Sequence, residues 1–481
     1  MPDRPPAFAA PDPEALSAAF RRVAERFLAR IAAPHDEPVI ERVGSAAIDG
    51  LAALPPLAGR PLDEVVAHLL DTVCPLRTRT DHPRFFAFIP SPASPLSPLG
   101  DLLTAIHNPH AGNWLQSAGP AAIEHGLVRF MADAAGLPAT ADGLFVSGGS
   151  MANLTALVAA RDRMLAEDER AQGVAYLSTQ THSSVGKALR IIGLLDRRIR
   201  VLAVDDRFRM DVGALEVAVA EDRAAGLKPF VVVASAGTTN TGAIDPLPQL
   251  ADICARENLW LHVDGAFGAS ALLSAERRAL LAGIERADSL SWDAHKWLFQ
   301  TYGCGVALVR DRTALTDAFR TGPDYLRDAE TDGGESNFWD LGLELTRPAR
   351  ALKLWLTLQA MGLDAVGEAI SHGFGMAEHA ERTIAATPGW RVVTPAQMAI
   401  VTFRCEPYGL SEEERDTLNA AAARRLLDDG FAAVGTTRLD GRLVLRICAI
   451  NPQTKTADVE ETIRRLDSYV RAAVNAARGK V

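Results

Sequence analysis

The chain has 481 residues, 23% of them charged and 48% hydrophobic, with a formal net charge of −10. At roughly 100–200 residues per domain, that length allows about two to four compact units, and the apolar content excludes wholesale disorder. The acidic balance argues against a surface that tracks nucleic-acid phosphates, and no apolar run approaches the roughly 18–20 residues needed to span a bilayer.

The opening residues, MPDRPPAFAAPDPEALS, are proline-broken and acidic, without the apolar stretch of a secretory signal. Next, Leu16, Phe20, Val23, Phe27 and Ile31 fall at helical spacing, and Leu62, Val66, Leu69 and Val73 predict a second helix before Pro75. Both precede the first convincing strand by many residues. Their apolar faces need something other than a local sheet, and a partner chain would supply it. Five cysteines (Cys74, Cys254, Cys304, Cys405, Cys448) are scattered, odd in number and never spaced as CxxC. Reduced thiols in a cytoplasmic protein fit that pattern; a disulfide framework or zinc ribbon does not, and no metal site is expected.

From about residue 143 the texture changes to short β-rich runs at 144–146, 174–177, 201–204, 230–234, 259–263, 289–292 and 306–309. Helical patterns such as 152–165 and 247–256 lie between most of them. Continuous apolar strands joined by helical crossovers predict a parallel sheet buried on both faces. A long helix is expected over 347–361. The remainder, with strands at 390–393, 398–403 and 443–449, reads as a smaller α+β unit.

In such a sheet, ligands sit beyond the carboxyl ends of the strands, and the residues there are chemically loaded. Run 144–146 leads into Ser147-Gly148-Gly149-Ser150, small residues opening a helix. A helix N-terminus offers backbone N–H groups and about half a positive charge to a phosphate; taken alone, the segment is equally a tight turn with Ser150 as cap. His182 follows 174–177, and a hydroxyl-rich loop, Gly237-Thr238-Thr239-Asn240-Thr241-Gly242, follows 230–234. Asp264 closes 259–263, where a carboxylate costs several kcal/mol unless a cation or strong donors meet it. Run 289–292 leads into Asp293-Ala294-His295-Lys296. The chain has only six lysines, because arginine occupies most basic positions, so Lys296 between His295 and Trp297 is hard to read as a solvated charge. Lysine, unlike arginine, can lose its proton when desolvated and act as an amine nucleophile. A phosphate cradle, an imidazole, a strand-end carboxylate and an amine are together what pyridoxal 5′-phosphate requires.

With these residues in place, the chain resembles the group II pyridoxal-phosphate-dependent amino-acid decarboxylases, and among them the aromatic-L-amino-acid decarboxylases. The likeness runs from about Asp81 to beyond Asn451, carried in order by SGGSMANLTAL, THSSV, HVDGAFG and DAHKW. It implies an α/β protein of fold type I, aspartate-aminotransferase-like, with a large, mainly parallel seven-stranded sheet domain and a small C-terminal α+β domain. The divisions expected are an N-terminal helical segment at 1–93, packing on a partner subunit, a cofactor domain at 94–368 and a small domain at 369–481. A homodimer with its active site at the interface is implied as well.

By motif, the resemblance implies Lys296 as the Schiff-base lysine and Asp264 as the partner of the pyridine nitrogen. It stacks His182 on the cofactor ring and puts Ala266 against the other face. Gly149 and Ser150 match phosphate-binding positions, Thr239 the threonine at the cofactor's edge, and His295 the histidine before the lysine. Tyr325, within Gly322-Pro323-Asp324-Tyr325-Leu326, matches a loop tyrosine that protonates the substrate carbon with help from His182. The reaction implied is decarboxylation of an L-amino acid to its amine and carbon dioxide. Two alternatives stay open: an oxidative aldehyde synthase, a class that often lacks the tyrosine or the histidine, and a decarboxylase of a non-aromatic amino acid.

The substrate class rests on less. His82-Pro83-Arg84-Phe85-Phe86-Ala87-Phe88-Ile89-Pro90 resembles the substrate-facing segment of aromatic decarboxylases. Phe85, Phe86, Phe88 and Pro90, with Trp114, are the expected pocket wall, favouring tryptophan, tyrosine, phenylalanine or dihydroxyphenylalanine; the three phenylalanines also read as core. Three departures stand out. Gly112 stands where the animal enzymes carry a bulky aromatic, Asp293 where they carry an asparagine that touches phosphate, and Gly265 where many relatives have alanine. An ionised acid would repel a phosphate dianion, so Asp293 is expected to turn toward backbone or His295.

Overall fold

The computed structural model describes residues 12–35, 37–41, 43–51, 56–322 and 337–478. After a two-residue strand, β1 (Phe85–Phe86), seven strands build the larger sheet: β2 (Asp142–Val146), β3 (Gly173–Ser178), β4 (Ile199–Leu202), β5 (Lys228–Ser235), β6 (Trp260–Asp264), β7 (Ser289–Trp292) and β8 (Gly305–Val309). Their order is β2-β8-β7-β6-β5-β3-β4. Pairing is parallel from β7 through β6, β5 and β3 to β4, while β8 runs antiparallel to both β2 and β7. Each expected run is present within two residues at either end. The cause is plain in β5, where residues Val231, Val232 and Val233 are fully buried with helices over both sheet faces.

Four further strands, β9 (Trp390–Gln397), β10 (Ile400–Cys405), β11 (Ala433–Leu439) and β12 (Arg442–Cys448), form a second sheet in the order β1-β11-β12-β10-β9. β11 lies outside the runs expected from sequence. It has alternating burial and carries exposed threonine and arginine positions, so it offers no apolar run. β1 closes this sheet by pairing parallel to β11, with Phe85 opposite Ala433. The segment around Phe85 therefore packs with strands some 350 residues further along the chain. One hydrophobic cluster runs from Leu261 and Val263 of β6 through Phe403 and Ile447 to Leu466, tying the two sheets together.

The helix expected from residue 347 begins instead at Ala351. Pro348 disfavours helical geometry in the residue before it, and the Arg347 side chain is committed to a buried ion pair with Glu124. That helix ends at Gly362, whose φ of 79° suits glycine, and the 24-residue helix Leu363–Ala386 follows at once. Near the N-terminus, Asp12 caps the helix Pro13–Ala32, none of whose described residues is buried. Arg22 and Arg26 of that helix pair with Asp71. Among the described residues, no helix is long and apolar enough to cross a membrane.

Candidate active site

Loops at the ends of β2, β3, β5, β6 and β7 enclose a cavity of about 340 Å³. Gly149, Ser150, His182, Thr239, Asp264, Ala266, His295 and Lys296 all line it, with Asp293 beside them. These residues span some 150 positions of sequence and meet because parallel strands deliver their carboxyl ends to one edge.

The β2 loop is built from backbone. Gly148 has a φ of 154°, and a Cβ there would lie 2.7 Å from His295 Cε1. A Cβ on Gly149 would lie 2.9 Å from both the Ala266 Cβ and Asp293 Oδ2. Only glycine allows that approach. The helix Gly149–Met164 then starts without a side-chain cap; the Met151 and Ala152 N–H groups donate to the Gly148 carbonyl, which leaves those of Gly149 and Ser150 to meet an anion.

Asp264, at the end of β6, is 9% exposed and meets the donors that burial of a carboxylate demands. Asn153 Nδ2 donates to it at 3.0 Å, Ser291 Oγ at 3.1 Å and the Ala266 N–H at 3.2 Å. His182 caps the helix Ser183–Ile191, its Nδ1 lying 2.8 Å from Ser184 Oγ. Burial pushes the His182 pKa below the ordinary value despite the opposing pull of Asp264, so the ring is uncharged at neutral pH.

Lys296 Nζ lies 3.0 Å from Asp293 Oδ2. Burial alone would lower its pKa, but the carboxylates of Asp293 and Asp264 outweigh burial and raise it. His295 donates from Nδ1 to the Cys304 carbonyl at 3.0 Å, and its Nε2 is 3.6 Å from the same Asp293 oxygen. Burial lowers the His295 pKa as well. Asp293 thus turns to Lys296 rather than to His295 or backbone, because an ammonium offers a buried carboxylate more than a neutral ring can. Its other oxygen, Oδ1, has no hydrogen-bond partner among the described residues.

The expected substrate wall does not line this cavity. Phe85 and Phe86 are 2% and 1% exposed and belong to β1 and the core. Pro90 is buried, and Trp114 stacks on His125 with ring centroids 5.4 Å apart. Phe88 differs: the residue is 75% exposed, its ring stacks on that of Phe85, and its φ is 53°, unusual for a bulky residue. Arg446, buried in β12, donates to the Phe88 carbonyl at 2.6 Å and to the Thr239 carbonyl at 2.5 Å, so Phe88 is anchored next to a cavity loop. Gly112 is buried, and a Cβ there would lie 2.6 Å from the Leu345 carbonyl oxygen. At Gly265 a Cβ would lie 2.8 Å from Leu290 Cδ1. Tyr325 lies outside the described residues. Sequence reading missed Asn153, His262, Ser184, Ser291 and Arg446. His262 did leave a signal: it sits two residues before Asp264, on the same face of a strand with no exposed position.

A family model of the pyridoxal-dependent decarboxylase conserved domain matches residues 53–406. The chain belongs to the pyridoxal-dependent decarboxylases. It is 43% identical over 391 residues to an aromatic-L-amino-acid decarboxylase of Bacillus atrophaeus, covering 81% of each chain. It is 32% identical over 413 residues to a phenylacetaldehyde synthase of Arabidopsis thaliana, covering 83% of this chain and 84% of that one. The solved structure of Oryza sativa TDC with PLP and tryptamine superposes with a TM-score of 0.91 at 29% identity, over 98% of this chain and 99% of that one. The architecture is accordingly fold type I of the pyridoxal-phosphate enzymes. As a pyridoxal-dependent decarboxylase, the protein must seat a phosphorylated pyridine, and the cavity fits one. A glycine loop and an uncapped helix N-terminus suit the phosphate, and Asp264 with its three donors suits a protonated ring nitrogen. Lys296, its side chain 24% exposed, is open to an aldehyde arriving from solution. Among the described residues that line the cavity, Asp293 is the one that opposes the fit.

Proposed function

We propose that the protein decarboxylates an aromatic L-amino acid to the corresponding amine, working as a cytoplasmic homodimer. Lys296 is the amine that carries the cofactor. Gly149, Ser150 and the helix N-terminus behind them would hold its phosphate, and His182 and Ala266, which line the same cavity, would hold its ring. Asp264, an acceptor toward every neighbour it has, holds a proton on the ring nitrogen. Pyridoxal phosphate supplies the electron sink for the pair released as carbon dioxide departs. Thr239 and His295 border the cofactor's edge, and Tyr325 returns a proton to the substrate carbon. His182, kept uncharged at neutral pH by burial, would not compete as a cation for the substrate carboxylate.

The observation that carries the aromatic reading is the outward Phe88 ring, anchored through Arg446 beside Thr239. The activity named for the Bacillus atrophaeus relative supports it. The dimer is supported by the helix Leu96–His107, whose large aliphatic residues point to solvent, and the cytoplasm by five free cysteines. Aldehyde formation is the second reading, favoured by the likeness to a phenylacetaldehyde synthase.

Cofactor-loaded protein should consume tryptophan, tyrosine, phenylalanine or dihydroxyphenylalanine from a pooled set of L-amino acids and release matching amine. Lys296→Ala should lose at least about 10³-fold of that rate and lose the borohydride-fixed cofactor adduct seen by peptide mass spectrometry. Aldehyde with peroxide in place of amine would establish the second reading, and consumption of only acidic or aliphatic amino acids would refute the aromatic reading.

A further inference from the structure

Behind the cavity, a line of hydrogen bonds joins residues from β6, β7 and two helices. Trp260 Nε1 lies 2.7 Å from Ser289 Oγ, which lies 2.8 Å from His262 Nδ1. His262 Nε2 lies 3.0 Å from Asn153 Oδ1. Asn153 Nδ2 reaches Asp264 Oδ2 at 3.0 Å and Ser184 Oγ at 3.2 Å, and Ser184 Oγ reaches His182 Nδ1 at 2.8 Å. Every member except His182 is 9% exposed or less.

The direction of each hydrogen follows from the two ends. An indole N–H only donates, and a carboxylate only accepts. Trp260 therefore donates to Ser289, whose own hydrogen goes to His262 Nδ1. The His262 ring is neutral, since burial pushes its pKa down to about 4 despite the attraction of Asp264. Its one remaining hydrogen lies on Nε2 and points at the Asn153 carbonyl oxygen. That orientation turns both amide hydrogens of Asn153 outward, one to Asp264 and one to Ser184. Ser184 has then accepted and gives its hydrogen to His182 Nδ1, which also accepts the Ser184 backbone N–H at 3.3 Å. His182 is left with its proton on Nε2.

We propose that Trp260, Ser289, His262 and Asn153 are positioning residues forming a one-way hydrogen-bond chain, which aims the Asn153 amide hydrogens at Asp264 and Ser184 and so sets the tautomer of His182. The proposal rests on the assignment of Asp264 and Lys296 to the cofactor. Without the chain, the Asn153 carbonyl oxygen has no donor to hold it, and the amide can turn away, withdrawing its hydrogens from Asp264 and Ser184. The ring-nitrogen partner and the stacked imidazole then both lose their defined protonation, although neither has been touched. Because one asparagine serves both, a single change at Asn153 disturbs the two faces of the chemistry together.

The test uses Asn153→Leu, His262→Phe, the conservative His262→Gln, and Ser289→Ala as a change that removes one hydroxyl and no bulk. Each is loaded with pyridoxal phosphate and followed by the pH titration of bound-cofactor absorbance and by steady-state kinetics. Asn153→Leu and His262→Phe should shift the titration midpoint by at least one pH unit and lower kcat about 10- to 100-fold, with KM changed less than about threefold. Ser289→Ala should shift both in the same direction, by about 3- to 10-fold in kcat. His262→Gln, whose amide N–H can still donate to Asn153, should recover to within about threefold of the parent. Loaded variants with the parent's titration midpoint and kcat would overturn the chain while leaving the cofactor assignment intact. The chain is overturned in the same way if Ser289→Ala alone folds and behaves as the parent. A parent protein that fixes no pyridoxal phosphate on Lys296 would overturn the assignment itself, and the chain with it.

Discussion

Two helices treat their surroundings in opposite ways. Helix Gly149–Met164, behind the cavity, buries Gly149, Ala152, Asn153, Thr155, Ala156, Leu157, Ala159 and Ala160, most of them small enough for close approach of strands and loops. Helix Leu96–His107 buries Ser97 and Gly100 and turns Leu99, Leu102, Leu103 and Ile106 outward, at 39–59% exposure. Its inner face is small for a steric reason: a Cβ on Gly100 would lie 2.5 Å from the Lys353 Cα. Its outer face is apolar and uncovered by any of the described residues, although each aliphatic side chain gains about 1.5–3 kcal/mol when fully buried. The first helix is complete within one chain. The second makes sense only against another surface, and the proposed substrate wall shares that incompleteness, with Phe88 75% exposed.

The contrast breaks most visibly if the outer face is charged. Leu103→Glu combined with Ile106→Glu should raise the dimer dissociation constant at least about 100-fold, because two carboxylates would be desolvated at an apolar contact. Sedimentation velocity reads the result directly. Far-ultraviolet circular dichroism should stay unchanged, since neither residue supports its own chain's core. A double variant that sediments like the parent would remove this face from the interface and leave the inverted helix unexplained.

How much the amino-acid sequence reveals follows the same division. Most strands of the large sheet are legible because short apolar runs buried on both faces, as in β5 and β8, are the mark of a covered sheet, and the residues at their ends are legible because those runs place them. β11 is not legible, since alternating threonine and arginine positions on a half-exposed strand look like loop. Phe85 and Phe86 read equally well as wall or core, and pairing with a strand near residue 433 decides for core. Asn153 and His262 escaped for another reason: their importance lies in partners from β6, β7 and separate helices, which no local spacing encodes.

Acid should sharpen the contrast on a smaller scale. His262 lies behind the cavity, and His82 lies between Glu37 and Arg84 in the N-terminal segment. Burial is the main cause in both, and it pushes them down to about 4 and about 3 respectively. In the unfolded chain each titrates near 6.5. Below pH 6.5 the unfolded state therefore binds protons that the fold refuses, so stability is full above that value and falls as pH falls. At pH 5 each histidine costs about 2 kcal/mol, roughly a 30-fold change in the folding equilibrium. His262→Gln should flatten the dependence of Tm on pH between 7 and 5, as should His82→Gln, each by its own share. An unchanged slope for His262→Gln would mean that the cavity half does not resist protonation as its burial requires.

The smallest effect is expected at Asp293, the one residue of the complete half that opposes its own ligand. Asp293 does two things at once. One oxygen holds Lys296 at 3.0 Å and helps keep the amine protonated, while the other has no hydrogen-bond partner among the described residues. A carboxylate behind the glycine loop repels a phosphate, and a protonated amine is slow to attack an aldehyde. Both effects weaken cofactor capture, so Asp293→Asn should bind pyridoxal phosphate about 3- to 10-fold more tightly in a titration of cofactor-free protein, a gain of about 1 kcal/mol. Pyridoxal, which lacks the phosphate, separates the two contributions. If repulsion dominates, the variant gains affinity for the phosphorylated form alone; if release of Lys296 dominates, it gains for both. Weaker binding of both would mean that aiming the lysine matters more than either, and that Asp293 belongs to the cofactor's seat after all.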